Sequence, residues 1–167
     1  SKALIAMEDG QNRVKAMALI HEKLYENENL AAISLQEYIM ELGHRIGAVF
    51  PKGRKVTIDV QSDGIELDVD TAIPLGLIIC ELLTNAFKYA YLNKQTGMLR
   101  IKFSQTDNTL FLEVSDNGPG MPAEYASGFG LSMVRSLARQ LKATWSVNNQ
   151  DGTLVSMQIQ KFKLIQA

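Results

Sequence analysis

Apolar residues recur at helical spacing near the start of the chain. Val14, Met17, Ile20 and Leu24 form one stripe, with Gln11, Lys15, Glu22 and Glu26 between them. Residues 2 to about 27 are therefore predicted to be helical, weakened locally at Asp9-Gly10 and stopped by Asn27-Glu28-Asn29. Ser34 with Glu37 three residues on has the form of a capping box. A second helix is predicted over about 35–49, with Leu35, Ile39, Leu42, Ile46 and Val49 on one face and Pro51-Lys52-Gly53 closing it. The period then changes to two. Val56, Ile58 and Val60 alternate with polar residues, as do Ile65, Leu67 and Val69, and Asp63-Gly64 between them is a hairpin signal. A long helix over about 71–91 follows, with Pro74 tolerated in its first turn. Asn93 to Gly97 reads as a loop. Strands 98–105 and 109–115 are predicted to pair across Asp107-Asn108, and residues 116–128 carry turn formers without periodicity. A helix over about 129–142 and two strands, 143–149 and 153–161, flanking Asp151-Gly152 complete the pattern.

These elements predict an α+β fold: a two-layer α/β sandwich with a mixed sheet and helices on one face, preceded by two helices. Residues 1–50 are expected to be a helical region and residues 51–167 the sandwich. Composition changes this picture little. At 46% hydrophobic residues the chain can build a core without disulfides, and its one cysteine excludes an internal disulfide framework and suits a reducing compartment. A net charge of −1 excludes a general basic footprint for nucleic acid. The longest apolar run, Ile73 to Cys80, holds Pro74 and Gly76 and falls short of a membrane span. No signal-peptide pattern is present, and a cytoplasmic location without membrane contact is expected. The first residues lie within a helical pattern, so a piece of a longer protein, which can include membrane or sensor segments, is expected.

Three segments carry candidate chemistry. In Glu81-Leu82-Leu83-Thr84-Asn85-Ala86-Phe87-Lys88-Tyr89-Ala90, residues Glu81, Asn85 and Lys88 share one face of an ideal helix. A carboxylate, an amide and an ammonium there suit a hydrated cation and a phosphate, because Mg²⁺ takes oxygen ligands, keeps waters and accepts substrate phosphates. The same stripe also suits an ordinary amphipathic helix. Asp116-Asn117-Gly118-Pro119-Gly120 places a carboxylate at a strand end, where it can accept a hydrogen bond from an exocyclic amine; it reads equally as a plain turn. Gly128-Phe129-Gly130-Leu131 opens a helix whose N-terminal amides can meet an anion, or is only a glycine-rich entry.

Taken in order, the three segments resemble the ATP-binding domain shared by histidine kinases, gyrase and MutL, the Bergerat fold. The resemblance covers roughly residues 54–161. The first segment looks like the N box, and the other two look like the glycine boxes. It implies that Asn85 ligates Mg²⁺, that Lys88 touches phosphate and that Tyr89 lies against the nucleotide. It implies that Asp116 accepts the adenine amine, that Gly118 and Gly120 shape the start of an ATP lid, and that Gly128, Gly130 and Leu131 form the box at the phosphates. Thr153, in Asp151-Gly152-Thr153, would join the polar network around adenine. Glu81 stands where many histidine kinases have Asn. As in hydrolysing relatives, it is the candidate catalytic residue, able to orient a metal-bound water or act as a base.

Residues 11–25 resemble the second helix of the dimerisation region in a histidine-kinase subgroup whose acceptor histidine lies on the preceding helix, in an H-R-V-K-N-N-like motif. That motif is not found in this chain. His21 is expected to be a structural residue at the helical-pair interface and His44 a solvated helix residue, while Cys80 is expected to be a buried, inert thiol. Seven residues, Met121 to Ser127, separate the glycine boxes, a short lid. The resemblance therefore implies the ATP-binding catalytic part of a sensor histidine kinase of a two-component signal-transduction system. Such an enzyme passes the γ-phosphoryl group to a histidine on an upstream helix, making a phosphoprotein, and then to a response regulator, and the parent protein would be a homodimer. An anti-sigma-factor-type serine kinase and a non-enzymatic phosphotransfer or dimerisation module are the alternative readings.

Overall fold

The computed structural model describes residues 1–26, 33–48, 55–90, 96–120 and 129–164. Helix α1 (Lys2–Glu26) is followed by a two-residue strand β1 (Ile33–Ser34) and helix α2 (Leu35–Ala48). Strands β2 (Lys55–Gln61) and β3 (Glu66–Leu67) lead into helix α3 (Val69–Asn85), which continues as a π-helical turn, Ala86–Ala90. Strands β4 (Thr96–Thr106) and β5 (Thr109–Asp116), helix α4 (Phe129–Gln140) and strands β6 (Ala143–Asn148) and β7 (Leu154–Ile159) complete the order.

The main sheet runs β2-β4-β5-β7-β6, with β2 parallel to β4 and the other neighbours antiparallel. Its strands alternate as a half-buried sheet should. Leu99, Ile101 and Phe103 of β4, Leu110, Leu112 and Val114 of β5, and Val155, Met157 and Ile159 of β7 are buried, while Arg100, Lys102 and Glu113 are exposed. The buried face joins one core with Leu35, Tyr38, Ile39, Leu42 and Ile46 of α2 and the apolar residues of α3. The mixed-sheet α+β sandwich expected from the pattern is thus the fold, and α2 shares its core.

Several local expectations are corrected. Asp63 and Gly64 do make a tight turn, with φ of 52° and 68° and Ile65 N donating to Ser62 O at 3.0 Å. The strands on either side do not pair with each other. β2 joins β4 in a seven-residue parallel ladder from Lys55↔Thr96 to Gln61↔Lys102, and β3 pairs with β1 instead. The long ladder satisfies more backbone groups than a two-residue β3 could. Ser34 pairs with Glu66 and stands directly before α2, where its predicted cap belongs. Thr96 and Gly97 belong to β4, not to a loop.

α3 begins at Val69 behind Asp68, whose side chain accepts from Asp70 N at 3.4 Å, so Pro74 lies beyond the first turn. The helix is not amphipathic: fourteen of its residues, Glu81 and Asn85 among them, are buried, because α1, α2 and α4 pack on it and it shares one core with the sheet. This is a core helix. Val69–Tyr89 is long and apolar enough by composition to cross a membrane, but 83% of its most apolar window is buried within the fold. The π-helical turn moves Lys88 off the straight stripe predicted to join it to Glu81 and Asn85. α4 ends two residues early, at Gln140, where Lys142 turns to φ 46°.

α1 packs on α3 and α2 through a face that includes fully buried Leu19. Val14 and Met17 of the predicted stripe are 64% and 51% exposed, and Leu4 and Met7 further up the helix are exposed as well. The side chains of Ile20 and Leu24 lie outside the described residues.

Candidate nucleotide site

The C-terminal half of α3, the end of β5 and the start of β7 converge on one cleft. Leu82, Asn85, Ala86 and Tyr89 line it from the helix and its π-helical extension. Val114, Asp116 and Gly120 line it from β5 and the segment after it, and Thr153 and Val155 from β7. The cleft has apolar walls and a few convergent polar groups, the usual make-up of a small-ligand site.

Asp116 is held firmly. Its backbone N donates to Thr153 O at 3.0 Å, and its Oδ1 accepts from Gly118 N at 2.9 Å and from Thr153 N at 3.3 Å. Two backbone amides thus set the carboxylate's orientation before any ligand arrives. The turn before Thr153 makes this possible. Gly152 has φ +101°, and a Cβ there would stand 2.1 Å from Asp116 O, so the two chain segments meet only because residue 152 lacks a side chain. Next along, Asn117 Oδ1 accepts from Met98 N at 3.0 Å and anchors the segment after β5 to the start of β4.

Asn85 is buried, yet its amide nitrogen finds no hydrogen-bond partner among the described residues. A buried amide left in this way costs free energy, of order 1–3 kcal/mol. The O and N ends of an amide can exchange by a half-turn of the side chain, so the same position can present an oxygen. No group of three or more His, Cys, Asp or Glu able to hold a metal occurs among the described residues. A metal here would take one amide oxygen from the protein and its other ligands from phosphates and water, which is how Mg²⁺ is commonly held. The residues present fit that ion.

Glu81 lies one turn before Asn85 and is also buried. The Arg13 guanidinium of α1 grips it with both arms: Nε donates to Oε1, and Nη2 donates to Oε2 at 3.2 Å. Sequence reasoning missed Arg13. The two residues are 68 positions apart, and a single basic residue within a helical pattern gives no signal. It also missed the apolar lining, Leu82, Ala86, Val114 and Val155, which looks like any core pattern, and the close approach that Gly152 permits.

The structure thus brings Asn85, Tyr89, Asp116, Gly120 and Thr153 together around one cleft, with Glu81 a helical turn away. Gly118 is buried behind Asp116 and donates to it, and Lys88 is half-buried in the π-helical turn. Gly130 and buried Leu131 lie in the first turn of α4. Gly128 and the lid segment Met121 to Ser127 lie outside the described residues. His21 on α1 and His44 on α2 are both exposed. The Cys80 thiol is buried. Burial first, and the neighbouring Glu81 carboxylate second, push its pKa up to about 12, which leaves it protonated and unreactive at neutral pH.

Comparison with known proteins gives a consistent picture. A family described as histidine kinase-like ATPase domain matches residues 51–159, and one described as histidine kinase matches residues 1–50. The chain is 28% identical to blue-light-activated histidine kinase 2 of Erythrobacter litoralis over 159 residues, which is 88% of this chain and 45% of that protein. It is 29% identical to the sensor histidine kinase PdtaS of Mycobacterium tuberculosis over 150 residues, 89% of this chain and 29% of that protein. It therefore spans less than half the length of these relatives. Among solved structures, the histidine kinase domain of the Erythrobacter litoralis EL346 blue-light-activated histidine kinase superposes with a TM-score of 0.79 at 26% identity, covering 92% of this chain and 75% of that one.

Proposed function

Given that the chain belongs to the histidine kinase family and carries its ATPase-type domain, we propose that it is the catalytic part of a two-component sensor histidine kinase. It would bind ATP with Mg²⁺ and pass the γ-phosphoryl group to a histidine on a helix outside these residues, for relay to an aspartate of a response regulator. The observation that carries this reading is the Asp116 carboxylate, pinned by two backbone amides in a cleft that also holds the Asn85 amide, whose nitrogen has no partner among the described residues.

In this reading Asp116 accepts the adenine amine and Thr153, whose amide orients that carboxylate, completes the polar network. Tyr89 lies against the nucleotide. Asn85 offers its amide oxygen to Mg²⁺ and Lys88 its charge to the phosphates. Gly118 and Gly120 shape the start of the lid, and Gly128, Gly130 and Leu131 frame the phosphates at the head of α4. The bound Mg²⁺ would neutralise phosphate charge. The protein's part is positioning, which supplies most of the rate in phosphoryl transfer. Glu81 is the residue able to take a proton from water or to orient it. Neither His21 nor His44 stands in an acceptor motif, so this chain alone is expected to bind nucleotide without labelling its own histidines. The match of residues 1–50 to a histidine kinase family favours this reading over a serine kinase of the anti-sigma-factor type. A homodimeric parent protein and a cytoplasmic catalytic region belong to the same proposal.

Calorimetric titration of ATP into the Asp116→Asn variant tests the reading. Loss of a hydrogen bond to a charged group costs about 1.5–3 kcal/mol, and affinity should fall accordingly. Unchanged affinity would remove the adenine assignment. Incubation with radiolabelled ATP and Mg²⁺ should leave no acid-labile label on this chain, and stoichiometric label on His21 or His44 would contradict the placement of the acceptor.

A further inference from the structure

We propose that Arg13 is a positioning residue that holds the Glu81 carboxylate in a two-armed ion pair, and so withholds it from water and keeps ATP hydrolysis low while α1 is docked. This rests on the nucleotide-site reading above.

Both oxygens of Glu81 are engaged by one guanidinium, and the two side chains are only 16% and 6% exposed. A carboxylate activates water by accepting its proton, which needs an oxygen within hydrogen-bond reach of that water. Here the carboxylate is directed at a planar fork that matches it in shape and charge, the geometry in which Arg binds carboxylates most strongly. Such a pair is a poor device for stability, because desolvation of both charges offsets their attraction. Its location is informative: it joins α1 to the turn of α3 immediately before Asn85, which lines the cleft.

The reaction withheld is fully specified. Water oxygen would bond to the γ-phosphorus as the bond to the bridging oxygen of ADP breaks. The proton from water would pass to Glu81 and then to solvent, leaving ADP and inorganic phosphate. While Arg13 occupies Glu81, ATP is spared for transfer to a histidine. A movement of α1 that withdraws Arg13 exposes the carboxylate.

The test uses this chain with ATP and Mg²⁺ and measures phosphate release, binding of a fluorescent ATP analogue, and hydrogen exchange of the α1 amides. R13Q is expected to raise kcat for hydrolysis by about a hundredfold, the lower end of what a general base supplies, with KM for ATP little changed. The gain should vanish in R13Q/E81Q. R13K, which keeps the cation but not the fork, should give an intermediate rate. Exchange of α1 amides should quicken in R13Q, which reports release of the helix independently of turnover. Folded R13Q that binds ATP and hydrolyses it no faster than the parent chain would overturn the proposal, as would a gain that survives in R13Q/E81Q. If circular dichroism shows R13Q unfolded, R13K carries the test, and an unchanged rate there overturns it. A parent chain that binds no ATP analogue overturns the nucleotide-site reading itself, whereas binding with unchanged rates overturns only the role of Arg13.

Discussion

Replacing Gly152 by alanine would place a methyl carbon 2.1 Å from the carbonyl oxygen of Asp116 and 3.3 Å from the Cα of Asn117. The colliding atom is backbone, not the end of a flexible side chain, so relief requires β7 and the end of β5 to separate. The φ of +101° adds a strain of about 1–3 kcal/mol for any residue other than glycine. Separation also stretches the Asp116 N to Thr153 O and Thr153 N to Asp116 Oδ1 hydrogen bonds, each worth about 0.5–1.5 kcal/mol. A total destabilisation of about 2–6 kcal/mol follows, and at about 2–4 °C per kcal/mol for a chain of this size the melting temperature should fall by about 4–24 °C. Because the same movement displaces the carboxylate that would meet adenine, ATP affinity should fall by about tenfold or more. Gly64→Ala separates the two contributions: its φ is +68°, but a Cβ there meets nothing within 4 Å, so only the backbone strain applies and ATP affinity should hold. Thermal denaturation and calorimetric titration of both variants provide the measurement. A Gly152→Ala protein that melts with the parent and binds ATP equally well would refute the argument that this close approach sets the site.

Three further outcomes are expected. Tyr38 is fully buried on α2 with its hydroxyl unpartnered among the described residues, so Tyr38→Phe should raise stability by about 1 kcal/mol in urea unfolding; a loss of that size would mean the hydroxyl is satisfied. Asn85→Ala should lower Mg²⁺-dependent phosphoryl transfer to a supplied acceptor helix by about tenfold or more with little change in melting, since the amide it removes has a nitrogen without a partner among the described residues; equal activity would exclude Asn85 as a ligand. The Cys80 thiol has a folded pKa of about 12 against 9.0 in the unfolded chain, so its contribution to stability is complete below pH 9 and is lost as pH rises from 9 through 12. Unfolding midpoints at pH 8, 10 and 11 should fall less steeply for Cys80→Ala than for the parent, and identical slopes would count against this thiol.

The sequence by itself determined what is decided over a few residues. Periodicity marked α1, α2 and β2, because a helical stripe or an alternation is a local property of the chain. Turn chemistry marked Asp63-Gly64, Asp107 and Asp151-Gly152, each of which adopts positive φ, because those residues tolerate it locally. The order of the three glycine- and asparagine-bearing segments pointed to the residues that meet at the cleft. Tertiary structure alone decided what depends on partners distant in the chain. The turn after β2 was legible, but not that β2 would leave β3 for β4, since a ladder's partner is chosen by the backbone groups available across the whole sheet. Glu81 and Asn85 read as an exposed polar stripe, and they are buried because α1, α2 and α4 close over α3. No local pattern encodes the Arg13–Glu81 pair: it exists because docking α1 on α3 removes both charges from water and leaves each as the other's counterion.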